Sequence, residues 1–276
     1  MGFLAVPPPY DFALSTGRFR ALGPDLANLW LQGRLYRVVA GREVSIEPAP
    51  GGVRVEPWDA RIERAARALL GLDLDLAGLY AFAEAEDPVL ARLARRLRGF
   101  RPPLAPDPLE ALVTSITAQQ ISLRAALAIR NRLVRRLGER VGRAWAFPRR
   151  ERLAEAQVEE LVAVGLSRRK AESILGLARS SLDLDQLRLL PDEEVKARLV
   201  AAPGVGEWTA DWFLARYLGR PRAWPAGDLG LRKAVSLLYR GGDPVSSAEV
   251  RAMGERLSPF QNLSAHYLLL GLRVLS

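Results

Sequence analysis

The sequence predicts a mostly α-helical protein carrying a small N-terminal α/β layer with an antiparallel sheet. Short alternating or β-branched runs are confined to residues 34–58, and beyond residue 60 almost every segment places apolar residues at three/four spacing. Hydrophobic residues make up 49% of the 276, enough to bury one large core or two modest ones. We expect an N-terminal α/β domain over residues 1–88 and a helical domain over residues 89–276, the latter containing a tightly connected helix pair at about 193–218.

In chain order, Gly23 to Leu31 reads as a short helix. Leu35-Tyr-Arg-Val-Val39, Glu43-Val-Ser-Ile-Glu47 and Val53-Arg-Val-Glu-Pro57 read as strands, separated by an Ala-Gly turn and a Pro-Ala-Pro-Gly-Gly turn. The three/four pattern then predicts helices over Ile62–Leu70, Pro88–Leu97, Pro108–Ser115, Leu123–Leu137, Glu151–Val164, Ser167–Ser180, Glu193–Ala201, Trp208–Leu218, Leu229–Tyr239, Ser247–Leu257 and Asn262–Leu272. Gly or Pro marks most junctions, among them Gly71, Pro102-Pro103, Gly138, Gly165, Pro203 and Gly241-Gly242.

Composition narrows the chemistry. The chain has no cysteine and one histidine, His266, which excludes disulfides, zinc–thiolate sites and cysteine-ligated iron–sulfur clusters and disfavours a Ser-His-Asp triad. No apolar run approaches the ~18–20 residues of a membrane span, and no basic stretch followed by a long apolar one opens the chain. Lys+Arg number 40 against 31 Asp+Glu, a net charge of +9. The excess is concentrated between Arg124 and Arg152, where ten arginines face only Glu139 and Glu151. Such a segment suits a polyanion, and it equally suits the solvated face of a helix.

The most informative segment is Ala202-Pro-Gly-Val-Gly-Glu-Trp-Thr-Ala210, with Gly227-Asp228 following. Pro-Gly-x-Gly closes one helix and opens the next, whose unpaired N–H groups and positive dipole end can take a phosphate oxygen. Gly204 and Gly206 permit positive φ and close approach by a ligand; a ligand-free helix connection has the same pattern. Asp228 is placed to cap the helix Leu229–Tyr239, and an ionised carboxylate there can also stabilise a cationic sugar or orient a water. Trp208 and Trp212 lie one helical turn apart, suited to core packing or to stacking on an extruded, even cationic, base. Gln119 and Gln120 precede the arginine-rich helix, where they face solvent or fill a duplex gap, and Ser122 is its expected cap.

Together these residues resemble the helix–hairpin–helix DNA glycosylase superfamily, through Leu190-Pro-Asp-Glu-Glu194, the hairpin 202–210 and Gly227-Asp228. Within it, Ile116-Thr-Ala-Gln-Gln-Ile-Ser122, Gly165-Leu-Ser-Arg-Arg-Lys-Ala171, the Trp after the hairpin and Pro8-Pro-Tyr-Asp-Phe12 are similar to 3-methyladenine DNA glycosylase II of the AlkA-like type, so the resemblance spans nearly the whole chain. It implies the helix–hairpin–helix glycosylase fold and base excision on double-stranded DNA containing damaged bases: a nucleotide is flipped out and its N-glycosidic bond hydrolysed. On this resemblance Asp228 is the catalytic carboxylate. Trp208, Trp212 and Arg18 line the base pocket, Arg18 standing where the family carries an aromatic residue. Gln119, Gln120 and Ser122 face the duplex, and the backbone around Pro203, Gly204, Val205, Gly206 and Thr209 takes a DNA phosphate. No cofactor is required; a monovalent cation, Na or K, is implied at the carbonyls of Val200, Ala202 and Val205. The lyase-active relatives carry a Schiff-base lysine where this chain has Trp208, and a tryptophan cannot form an imine. The implied enzyme is therefore monofunctional, a monomer without membrane or obligatory protein partner, cytoplasmic and nucleoid-associated, acting on alkylated purines of the 3-methyladenine and 7-methylguanine type. An 8-oxoguanine-type glycosylase/lyase and a non-catalytic helix–hairpin–helix DNA-binding protein are the alternatives. The segment Gln261–Tyr267 lacks the aromatic-rich pattern of the family, and His266 either replaces a pocket aromatic or packs within the terminal helix.

Overall fold

The computed structural model describes residues 1–275. The first unit is a five-stranded antiparallel sheet of order β1-β5-β4-β3-β2, formed by β1 (Gly2–Ala5), β2 (Leu29–Leu31), β3 (Arg34–Val39), β4 (Arg42–Ala49) and β5 (Gly52–Glu56). The predicted Ala-Gly turn is the β3–β4 hairpin, where Ala40 and Gly41 both take positive φ, as a two-residue turn matching strand twist requires. The register pairs Leu35 with Ile46 and Ile46 with Val55, which puts Leu35, Val44, Ile46, Val53 and Val55 on one buried face. That face packs on Ile62, Ala66 and Leu69 of α2 (Ala60–Leu69). Each buried Val, Leu or Ile among them contributes about 1.5–3 kcal/mol. Between β1 and β2 run the one-turn α1 (Phe12–Ser15) and a 3-10 turn, Thr16–Phe19.

The helical remainder holds two cores. One joins α3 (Leu76–Glu86) and α4 (Pro88–Arg96) to α12 (Leu229–Tyr239), α13 (Ser247–Arg256) and α14 (Gln261–Leu275). The other joins α5 (Pro108–Ala118), α6 (Leu123–Leu137), α7 (Arg150–Glu155), α8 (Val158–Ala163), α9 (Arg168–Arg179), α10 (Asp192–Val200) and α11 (Glu207–Arg216). Leu269 packs against both. The short strands β6 (Glu139–Val141) and β7 (Ala144–Ala146) form a hairpin whose Ala144 seals Tyr36 and Val38 on the outer face of β3.

Several segments depart from the sequence reading: β1, α1 and α3 form where no element was expected, and three further segments differ from the element expected of them. Gly23–Leu31 is not helical: the Asp25 carboxylate accepts the N–H groups of Ala27 and Asn28 at 3.1 and 3.3 Å, a turn that competes with helix, and Leu29–Leu31 becomes a strand. The helix expected over Glu151–Val164 is broken at Ala156, which is extended (φ −67°, ψ 155°), and a capping box of Gln157 and Glu160 restarts it as α8. The β6–β7 hairpin interrupts the arginine-rich segment.

Candidate active site

The hairpin predicted at 202–210 joins α10 to α11. Its turn is closed by the Val205 N–H on the Ala202 carbonyl at 3.1 Å. Gly204 has φ +78°, and a Cβ there would collide with the Ser173 side chain of α9, so both conformation and space demand glycine. Gly206 caps α11 without a side chain, and a Cβ on it would meet nothing within 4 Å. The N–H groups of Gly204 and Gly206 have no acceptor among the described residues. An exposed helix N-terminus preceded by free N–H groups is an anion site. Pro203 is exposed beside it, whereas the Val205 side chain is buried. The carbonyls of Val200, Ala202 and Val205 are uncharged hard donors, the chemistry a monovalent cation takes, with that of Ala202 also accepting the Val205 N–H.

The corner between α5 and α6 separates the two glutamines. Gln119 points inward, donating Nε2 to the Gly204 carbonyl and to Thr209 Oγ1, both at 3.1 Å. Thr209 is buried, so both residues tie the corner to the hairpin from inside. Gln120 is exposed with φ +56° and forms the tip; Ser122 caps α6 on the Ala125 N–H at 3.2 Å. Lys170, which sequence reasoning did not single out, donates Nζ to the carbonyls of Thr117 and Gln119 at 3.0 and 2.6 Å, a cation closing the C-terminus of α5. Its signal was present in Ser167-Arg-Arg-Lys170, but only the packing of α9 on α5 shows what it reaches.

Asp228 lies where the two helical cores meet. It is the N-cap of α12, with Oδ1 accepting the Leu231 N–H at 2.9 Å. Its Oδ2 accepts two indole N–H groups, Trp208 Nε1 at 2.8 Å and Trp212 Nε1 at 3.0 Å. The one-turn spacing of the tryptophans thus converges on a single carboxylate oxygen. Trp208 is half-buried and keeps open surface. Trp212 is 1% exposed: its ring is covered and only its N–H reaches the site.

Beyond Trp212 the wall is basic. The Arg216 guanidinium stacks over the Trp212 ring 3.5 Å from its centroid, and His266 packs on the same ring at 5.7 Å. Burial and the charge of Arg18 lower Arg216 to about 9, with Asp228 pulling it back up, so it remains charged at neutral pH. Burial, then Arg216 and Arg18, hold His266 well below the usual imidazole range and keep it neutral. Arg18 donates Nη1 to the Pro103 carbonyl at 3.3 Å. Neighbouring protein desolvates its guanidinium and lowers its pKa, while the side chain retains open surface. Arg216 was legible one turn past Trp212; its union with Arg18 and His266 was not, because it depends on long-range packing.

The arginine-rich segment is not a continuous binding stripe. Arg130 is buried against Asp25 and Glu110, Arg132 and Arg150 donate to backbone carbonyls, Arg136 and Arg152 pair with Glu160, and Arg143 pairs with Glu43.

This geometry has close counterparts. The profile of the HhH-GPD superfamily of base excision DNA repair proteins matches residues 113–259, covering the corner, hairpin and Asp228. A solved 3-methyladenine DNA glycosylase from Archaeoglobus fulgidus is 32% identical, with a TM-score of 0.91 over 100% of both chains. The DNA-3-methyladenine glycosylase of Bacillus subtilis is 29% identical over 78% of this chain and 73% of its own length. A probable bifunctional transcriptional activator/DNA repair enzyme AlkA of Mycobacterium tuberculosis is 33% identical over 82% of this chain and 47% of its own. An 8-oxoguanine glycosylase/lyase from Clostridium acetobutylicum shares the fold, with a TM-score of 0.79 at 18% identity. The chain belongs to the HhH-GPD superfamily of base excision DNA repair glycosylases, within its AlkA-like 3-methyladenine DNA glycosylase II family.

Proposed function

We propose that the protein is a monofunctional DNA glycosylase that hydrolyses the N-glycosidic bond of alkylated purines, with Asp228 as its catalytic carboxylate. The observation that carries this is the double indole grip on Asp228 Oδ2 beside the hairpin, at the position where a lyase needs a lysine. The three lysines of the chain are elsewhere: Lys170 on carbonyls, Lys196 paired with Asp211 at 2.9 Å, and Lys233 exposed on α12.

In this reading the hairpin N–H groups hold a backbone phosphate, giving sequence-independent affinity. A monovalent cation at Val200, Ala202 and Val205 would add a positive charge between hairpin and phosphate. Gln120 enters the duplex and the lesion base stacks on the open face of Trp208. Oδ2 is saturated by its two donors, while Oδ1 accepts one N–H and keeps a lone-pair position for the sugar or the attacking water. As the C1′–N bond lengthens, the fixed carboxylate stabilises the oxocarbenium-like charge on the sugar. The test is base release from methylated duplex DNA with borohydride present. Release without a trapped enzyme–DNA adduct is expected; trapping would mark a lyase, and absence of release a non-catalytic DNA-binding module.

A further inference from the structure

Helix α9 touches both loops that the glycosylase reading turns toward DNA. Lys170 stands in its first turn, with its N–H on the cap Ser167 at 3.3 Å, and Ser173 follows on the same face. From that face Lys170 Nζ reaches the carbonyls of Thr117 and Gln119 at 3.0 and 2.6 Å, where α5 ends. Ser173 lies under the hairpin, in the space a Cβ on Gly204 would need, and its own Oγ is held on the Arg169 carbonyl at 2.7 Å. Gln119 joins the two loops by donating Nε2 to the Gly204 carbonyl at 3.1 Å. Immediately beyond Gln119 comes Gln120, exposed and at φ +56°, a left-handed conformation that a residue with a side chain rarely keeps unaided. Ile121 and Leu123 expose apolar surface at the same tip.

We propose that α9 sets the spacing between the phosphate grip and the duplex-entering tip, and that Lys170 is the positioning residue that holds Gln120 ready to enter the stack. This rests on the glycosylase reading and adds to it a residue that acts through another. The last carbonyls of a helix have no intrahelical partner and carry the negative end of its dipole. A cation bonded to two carbonyls at this end fixes the peptide that precedes Gln120. Without it those carbonyls turn to water and the tip relaxes out of its left-handed turn. The ordering of the tip then falls on the step that extrudes the nucleotide, where unstacking already has to be offset. The hairpin does not share that loss, because Ser173 and Gln119 still hold it. Lys170 therefore acts on flipping and leaves the sequence-independent grip alone. Because one helix holds both loops, the distance from gripped phosphate to inserted side chain is fixed, and with it the nucleotide that is displaced.

The test is a double-mutant cycle read by single-turnover base release from methylated duplex DNA, beside equilibrium binding to undamaged duplex. Lys170→Met, which keeps the length of the side chain and removes its charge and donors, is expected to slow release about 10-fold on its own. Affinity for undamaged duplex is expected to stay at wild-type strength. In a Gln120→Ala background the same substitution is expected to leave the remaining rate unchanged, because the side chain it positions is gone. Lys170→Arg, which keeps the cation, is expected to recover most of the lost rate. If Lys170→Met does not fold, Lys170→Gln, which keeps a donor without the charge, takes its place in the cycle. An equal fall in both backgrounds, an unchanged rate, or a loss of undamaged-duplex affinity as large as the loss of rate overturns the inference and leaves the glycosylase reading standing. No release of any base by the wild-type protein overturns the glycosylase reading itself.

Discussion

At the scale of single residues, one carboxylate carries the site. The Trp208 and Trp212 N–H groups on Asp228 Oδ2 fix its plane and concentrate partial positive charge on one oxygen, leaving the other with a single N–H donor, that of Leu231. A hydrogen bond to a charged group contributes about 1.5–3 kcal/mol. Trp208→Phe, which keeps an aromatic face but loses the N–H, is expected to slow base release by about 10–100-fold with DNA affinity nearly unchanged. Single-turnover kinetics beside equilibrium binding checks this, and an unchanged rate would show that the grip is incidental. Much of this residue set was legible in the sequence. The Trp pair at one-turn spacing and the Asp at a helix start are local signals. Trp212 was open between core and pocket, and it serves both, with its ring in the core and its N–H in the site. Gln119 faced inward for a reason that no local pattern contains: its partners, Gly204 and Thr209, lie far along the chain.

At the scale of elements, the hairpin and the α5–α6 corner form one connected device. Gln119 joins them through Gly204 and Thr209, and Lys170 closes the end of α5. Gly204→Ala places a side chain at φ +78° against Ser173, a strain of about 1–2 kcal/mol plus a steric clash. Its expected effect is weaker binding to damaged and undamaged duplex alike, measured by fluorescence anisotropy at fixed salt; binding at wild-type strength would remove the hairpin from the interface. Gln120→Ala is expected instead to spare undamaged-duplex affinity and slow excision. Three of the departures from the sequence reading share a cause. Asp25 turns the backbone by capping its own neighbours, Ala156 breaks a helix whose apolar spacing continues across the break, and β6–β7 exists because β3 offers it a face. The basic run misled for the same reason, since its arginines found carboxylates and carbonyls that are remote in sequence.

At the scale of the whole molecule, the sheet is joined to the helices by a buried charge network. Arg37 of β3 and Arg130 of α6 both pair with Glu110 of α5, and Arg130 also pairs with Asp25. Burial by itself would raise both carboxyls; Arg37 and Arg130 outweigh it at Glu110, and Arg130 and Asn28 outweigh it at Asp25, holding both below the ordinary carboxylate range. Carboxyls with depressed folded pKa values stabilise the fold fully above their unfolded values, near 4, and lose that contribution as pH falls through the folded ones. His266 acts in the same sense: its folded pKa is depressed, so acidification below about 6.5 favours the unfolded chain. Glu110→Ala, which leaves two arginines buried without a partner, is expected to cost about 3–5 kcal/mol at pH 7. The difference from wild type should shrink as pH falls through the carboxylate range; denaturant unfolding at neutral and acidic pH measures it, and a pH-independent difference would contradict the assignment. The most direct measurement of the central claim is base release from methylated duplex DNA by the Asp228→Asn protein. The isosteric amide is expected to abolish release while DNA affinity is kept or raised, because it removes the charge that answers the oxocarbenium-like sugar and keeps one oxygen for either the indole N–H groups or the Leu231 N–H. Release at the wild-type rate would contradict the account.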